Sequence, residues 1–487
     1  MADDDLALRP ATELCELLAG GKVGSVELLD LYLARVERLN GPLNAVVALD
    51  AERARARAAE ADAALARGER WGPLHGLPMT VKDAFETEGL VTTSGAPELR
   101  DHVPGADAVA VARLKAAGAV VFGKTNLPLY AGDVQTANEV YGRTNNPWAL
   151  DRTTGGSSGG AAAALAAGLT GFELGSDIGG SIRNPSHFCG VFGHKPTFGI
   201  IPVRGHIPGP PGTLGTPDVG VVGPMGRSAA DLELGLDVLA GPDTWEAVGW
   251  RLDLPPARNG GALAGLRVGT WFEDPATRVE ADQRVLLDGA AAALGAEGAH
   301  VEPVTPPVGL GELVRSWERL VLPVIMAGLP KPAFDQFASL ADAMPADDDD
   351  PTSRALRAIT QRHRTWMGAD EARNRHRAAF ARFFEDHDVL LTPVMPTAAF
   401  PHDTETEIAG RTVVVDGEAR PYLENMSWTG GIGTVLLPVT VPPIGRTPRG
   451  LPVGIQVVAP HLEDRTSLAV AAHVERLLGG FTPPTGA

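Results

Sequence analysis

Apolar positions in the first 70 residues recur every three to four residues, the period of a helix with one buried face. Residues 25–40, SVELLDLYLARVERLN, place them at i, i+3, i+4 and i+7 behind Ser25, a residue type that caps helix N-termini. Residues 51–70, AERARARAAEADAALARGER, read as a charged, alanine-rich surface helix, and the pattern predicts helix throughout residues 10–68. At Leu74 the character changes. PLHGLPMTVKDAF (73–85) is a short apolar strand between Pro and Gly punctuation. AVAVARLKAAG (108–118) then reads as a helix, and AVVFG (119–123) and LTGFELGSD (169–177) as strands.

A β-α-β passage follows: strand-like LRVGTW (266–271), helical VEADQRVLLDGAAAALG (279–295) and strand-like AHVEPV (299–304), an excursion packed on the main body. Residues 329–351 end in an acidic run expected to form a solvated, mobile loop. The helix ADEARNRHRAAFARFFEDHD, the strand DVLLTPVMP, the runs VLLPVTVPP and GLPVGIQVVAP, and the helix DRTSLAVAAHVERLLG close the chain. Alternating helix and strand predict an α/β fold: one large domain over residues 1–487, with a central mixed, mostly parallel twisted sheet covered by helices on both faces. Its expected parts are N-terminal helices (1–70), a core carrying the chemistry (71–245), the excursion and mobile loop (255–365), and a C-terminal part completing the sheet (366–487).

Composition narrows the function. A net charge of -18 argues against nucleic-acid and anionic-membrane partners, which are held by Lys and Arg. Two cysteines, Cys15 and Cys189, exclude a disulfide framework and argue against a thiolate metal site; no metal and no cofactor are expected. Cys189, in FCGVFG, reads as a small core residue. The acidic N-terminus has no apolar signal-peptide segment, and no run is long enough to span a membrane. The expected location is the cytoplasm, as a monomer or homodimer.

Two glycine-rich stretches compete for the chemistry. GAVVFGKT (118–125) fits the phosphate-loop pattern G-x-x-x-x-G-K-[ST], but its variable positions are Ala119, Val120, Val121 and Phe122. Such residues build a buried strand rather than an anion nest, and Pro128 discourages a following helix. Lys124 is therefore expected to orient neighbouring backbone. TTGGSSGGAAAALAAG (153–168) joins compact segments rather than a polar linker, so its glycines allow close backbone approach. Twenty-four residues beyond Ser157, GSDIGGSIRNPSHFCG places Ser181 on a Gly-Gly turn at a strand end. There the N–H groups of Ile178, Gly179, Gly180 and Ser181 can converge on a developing oxyanion.

A serine nucleophile needs a base. His187 and His194 lie near in sequence, but neither comes with a recognisable orienting carboxylate. Lys82, in the apolar strand MTVKDAF, is the better candidate, because desolvation disfavours its ammonium form and an amine can act through an intermediate hydroxyl.

TGGSSGGAAAALAAG, ELGSDIGGSIRNPSHFCGVFGHKPT, PLHGLPMTVKDAF, GRTNNPWALDR and GLPVGIQVVAP resemble the blocks of the amidase signature family, from about Thr12 to Leu478. The resemblance implies that Lys82 is the catalytic lysine, Ser157 the bridging serine after a cis peptide, and Ser181 the acylated nucleophile. Ser158 is then either a supporting hydrogen-bond partner or a purely structural serine. Asp177 and Arg183 form a charge pair beside the chemistry. KTNLPLYAGDVQTANEVYG corresponds to one wall of the acyl pocket, with Tyr130, Gly132, Asp133 and Gln135 as lining candidates, while loops 205–218 and 329–351 are candidates to gate it. The implied substrate is a small-molecule amide, ester or carbamate, such as an aryl amide, nylon oligomer or urethane. An alternative is the glutamine-hydrolysing A subunit of a tRNA-dependent amidotransferase. Such proteins usually carry an acidic residue in the segment matching PYLENMSWTGG, where Glu424 is the only candidate. A catalytically silent scaffold is disfavoured by the joint presence of Lys82, Ser157 and Ser181.

Overall fold

In the computed structural model, which describes residues 3–485 except Pro208 and Ala346, the strand that carries Lys82 is buried along its whole length. Residues 1 and 2 of the acidic N-terminus, Pro208 of the 205–218 loop and Ala346 of the 329–351 segment lie outside the described residues. The N-terminal region is not helical throughout. Helices Ser25–Leu43 and Ala51–Ala66 are separated by strand β1, Val46–Leu49. Asn44 ends the first helix in the left-handed region at φ 52°, and the apolar run after it finds a ladder partner. That partner is distant in sequence and so invisible to local periodicity.

Strands β2 (Pro78–Lys82) and β3 (Val120–Thr125) pair in parallel, and β1 adds antiparallel to β3. The phosphate-loop candidate is thus largely a buried strand. Lys124 donates to the Phe85 carbonyl and, at 2.9 Å, to Thr87 Oγ1. The main sheet contains β4 (Glu173–Asp177), β5 (Phe192–Lys195), β6 (Val221–Gly226), β7 (Arg267–Thr270), β8 (His300–Pro303), β9 (Val389–Pro393), β10 (Val439–Val441), β11 (Pro443–Arg446) and β12 (Pro452–Val458). Their order is β8-β7-β9-β12-β10-β5-β6-β4, with β11 also pairing β12.

The sheet is mixed, as expected, but not mostly parallel. Only the β7–β8 and β7–β9 ladders are parallel, while every other pairing in the main sheet is antiparallel. Helix–strand alternation implies parallel neighbours only when each helix crosses between adjacent strands. Here β5, β6, β10 and β12 interleave from distant parts of the chain. The β-α-β passage is no excursion either, because β7 and β8 form one edge of this sheet. Residues 329–351 contain helix Lys331–Ala343, none of whose residues is buried.

Helix Gly159–Ala166 is buried on all sides, as its uniformly small, apolar sequence requires. It holds Ser157 and Ser158 at its N-terminal end, against the C-terminal ends of β2 and β4. Thr80 ties these strands together: its N–H donates to Thr170 Oγ1 at 2.9 Å and its hydroxyl to Glu173. No described helix is long and apolar enough to cross a membrane.

Candidate active site

Lys82, Ser157 and Ser181 come from three separate elements and meet in one buried place. Lys82 is the last residue of β2, and its fully buried Nζ lies 2.6 Å from Ser157 Oγ, 3.0 Å from Ser176 Oγ and 3.1 Å from Ser158 Oγ. The Gly156–Ser157 peptide is cis. Asn184 holds Gly156 at both ends, accepting from its N–H at 2.9 Å and donating at 2.6 Å to its carbonyl, the oxygen of the cis peptide. Ser158 N–H donates to Ser181 O at 3.1 Å, so the two serine loops share one backbone hydrogen bond. Ser157 Oγ reaches Lys82 but records no hydrogen bond to Ser181 among the described residues. Ser181, 9% exposed, is the most accessible of the three.

Burial is the main cause that pushes the Lys82 amine down, to about 7, against the opposing pull of Asp177 and Glu173. Glu173 is itself pushed up to about 8 by burial, which leaves Asp177 as the carboxylate facing the lysine near neutral pH. Burial alone would raise Asp177, but the Arg183 guanidinium and turn N–H groups outweigh it and hold the carboxyl at about 2. The pair is bidentate, with Arg183 Nη2 at 2.8 Å from Oδ1 and Nε at 3.0 Å from Oδ2. Arg183 also donates to Thr429 O and Gln456 Oε1 at 2.7 and 2.8 Å, bolting the turn to the far half of the chain.

Asp177 also shapes the turn. It accepts from Gly180 N at 2.9 Å and Ile182 N at 3.0 Å. Gly180 N–H is therefore spent within the turn and corrects the four-member oxyanion set. The N–H groups of Ile178, Gly179 and Ser181 have no partner among the described hydrogen bonds. Gly180 has φ +121°, and a Cβ there would collide with Thr429 Oγ1. Gly180→Ala is expected to destabilise the fold by about 1–3 kcal/mol and to depress activity, as read by denaturant melts and steady-state rates. Wild-type stability and rate in that variant would contradict this account of the turn.

A family model described as Amidase matches residues 27–468. The chain belongs to the amidase signature family. It is 33% identical over 96% of its length to the A-type component of the glutamyl-tRNA(Gln) amidotransferase from Roseiflexus sp. (strain RS-1), covering 96% of that protein. It is 32% identical to an acylamidase from Rhodococcus erythropolis, covering 98% of this chain and 96% of the relative. The crystal structure of a bacterial aryl acylamidase superposes with a TM-score of 0.79 at 26% identity, covering 96% of each chain. This amidase is accordingly a hydrolase that acts on amides.

The polar side chains of the segment expected to form a wall in this amidase are tied to neighbouring elements. Tyr130 OH donates to Glu98 at 2.6 Å, and Gly132 is exposed. The Asp133 carboxylate accepts from Arg411 at 2.5 Å and Tyr422 at 2.6 Å. Gln135 is held by both backbone groups of Asp403, at 2.8 and 2.9 Å. These polar ends are struts. The backbone of residues 133–135 packs on Gly156 so closely that a Cβ there would strike Asp133 O. Glu424 forms an ion pair with Arg420 at 3.0 Å. From the same segment, Met426 comes within 3.5 Å of where a Gly179 Cβ would sit.

Sequence reasoning missed Ser176, Asn184, His206 and Thr429. Their contacts join positions separated by up to 250 residues, and although Ser176 and Asn184 lie in the second serine block and Thr429 in PYLENMSWTGG, the local sequence assigns them no partner. His194 does have a carboxylate partner, Asp464 at 3.2 Å, but its other nitrogen meets Thr440 Oγ1 at 2.9 Å rather than a serine nucleophile. His187 is buried and pushed down to about 4, its Nδ1 accepting from Gly454 N–H at 2.9 Å and its Nε2 facing the Thr397 carbonyl at 3.1 Å. Burial raises the Cys189 thiol, which makes it unreactive. A cleft of about 800 Å³, lined by Arg258, Arg377 and His461 among others, includes none of the serines.

Proposed function

We propose that the chain is a stand-alone amidase that cleaves a neutral acyl–nitrogen bond through an acyl-enzyme on Ser181. The observation that carries this reading is Lys82 Nζ, fully buried, 2.6 Å from Ser157 Oγ and without a carboxylate among its hydrogen-bond partners. A lysine in that setting is neutral at a pH where an exposed one is not. Ser157 passes its proton to Lys82 while taking the proton of Ser181, whose oxygen attacks the substrate carbonyl carbon. The carbonyl oxygen becomes an oxyanion facing the N–H groups of Ile178, Gly179 and Ser181. As it collapses, the C–N bond breaks and the proton returns from Lys82 through Ser157 to the leaving nitrogen. Water, deprotonated along the same route, then releases the acid from Ser181. Ester and carbamate (urethane) carbonyls fit the same sequence, since only the leaving atom differs.

The acyl group is proposed to be apolar, aryl or alkyl, rather than glutamine. Met426 places a thioether beside the nucleophile turn, where an α-ammonium would need a carboxylate. The carboxylate of that segment, Glu424, is committed to Arg420. A panel of p-nitroanilides, anilides, aryl carbamates, primary amides and glutamine, assayed on the purified chain alone, tests the choice. The aryl and alkyl amides are expected to be turned over at least about a hundredfold more efficiently than glutamine, the scale on which unpaired polar groups are rejected. Glutamine as the preferred substrate would reverse the assignment in favour of the amidotransferase reading.

A further inference from the structure

Lys82 Nζ has three hydroxyl neighbours, and the destination of each hydroxyl proton decides what the amine can do. A neutral amine offers two N–H donors and one lone pair. Only a lone pair aimed at Ser157 can receive a proton from it. Ser158 Oγ donates to the Ser176 carbonyl at 3.3 Å, so toward Lys82 it is an acceptor. Ser176 Oγ lies 2.8 Å from His206 Nε2. His206 belongs to the 205–218 segment, is half-buried and packs its ring on Phe85 with centroids 4.9 Å apart. Its Nδ1 has no hydrogen-bond partner among the described residues, and in the tautomer protonated on Nδ1 the Nε2 atom is an acceptor toward Ser176.

We propose that His206 is a positioning residue that aims the lone pair of Lys82. By accepting the Ser176 hydroxyl proton, it leaves Ser176 able only to accept from Lys82. Ser176 and Ser158 then take both amine N–H groups, and the lone pair is left for Ser157. The inference rests on the serine–serine–lysine reading given above. Burial, with the Lys82 charge adding to it, pushes the His206 ring down to about 3, so the ring stays a neutral acceptor throughout the working range. The ionisable groups acting on Lys82 are Asp177 and Glu173, and the one acting on His206 is Lys82. Without the imidazole, the Ser176 hydroxyl is free to rotate and donate to Lys82. It would then favour the neutral amine while occupying the lone pair that Ser157 needs.

The test is the rate at which an alkyl fluorophosphonate labels Ser181, followed by intact mass and peptide mapping across pH 5.5–9.5. This readout needs no knowledge of the natural substrate. His206→Phe is expected to lower the plateau rate about tenfold, the worth of one orienting hydrogen bond, and to move the pH midpoint downward. His206→Gln, whose side-chain oxygen can accept from Ser176, is expected to recover most of the rate. A His206→Phe protein that labels at the wild-type rate overturns the inference, as does an unmoved or raised midpoint or a Gln variant as slow as Phe. If His206→Phe loses its circular dichroism signal, His206→Leu against His206→Gln makes the same comparison. Wild-type protein unlabelled at Ser181 would instead bring down the underlying mechanism, and this inference with it.

Discussion

Ser181→Ala is expected to lower kcat by at least about a thousandfold, because the covalent step vanishes and only binding and oxyanion stabilisation remain. The fold should be almost untouched. Ser181 Oγ makes no hydrogen bond among the described residues, so removing it orphans no buried partner and should shift stability by less than about 1 kcal/mol. Steady-state rates on the best substrate of the amide panel, with a thermal melt beside them, measure both halves. The wild type should carry a fluorophosphonate on Ser181, and the variant should carry none. Adduct on Ser157, Ser186 or Cys189 would sink the nucleophile assignment. Ser157→Ala belongs to the same unit, and its effect should combine with that of Ser181→Ala far less than additively.

Lys82→Met should be nearly as damaging, because the relay then ends without a base. Methionine is close in volume and apolar, so it fits a site from which water is already excluded. A folded protein with lost activity is therefore expected, its melting temperature lowered modestly because the buried Ser157 Oγ loses its lysine partner. The pH dependence follows from the direction of the shift. Below about 7 the Lys82 amine is protonated and cannot accept the Ser157 proton, while above it the amine is neutral. The wild-type kcat/KM should accordingly rise with pH through about 7 and level off, well below the range of an exposed lysine. An active Lys82→Met protein with the wild-type pH profile would show that another group supplies the base.

Much of this architecture was legible because the chemistry-bearing blocks are local. A nucleophile turn needs a strand, two glycines and a serine in sequence, and GSDIGGS supplies them within seven residues. The burial of Lys82 was legible for a similar reason, since a short apolar run between Pro and Gly has no solvated face. Strand direction was not legible. Whether β5 pairs with β6 and β10 in parallel or antiparallel depends on where distant segments return, and periodicity is blind to that. The partners of Asp133 and Gln135 were not legible, because Arg411, Tyr422 and Asp403 lie more than 260 residues away.

What the sequence determined alone is which groups are proposed to react: one lysine in an apolar strand and two serines held among glycines at fixed spacing. Residue type and immediate neighbours set intrinsic reactivity and backbone freedom, and both are local properties. What only the tertiary structure decided is which atom of each group faces which. Gly180 N–H turned inward to Asp177, Met426 rather than Glu424 came to lie against the turn, and His206 reached Ser176 from a separate loop. These are outcomes of packing, in which a hydrogen bond or van der Waals contact acts over a few ångströms regardless of the length of chain between its partners.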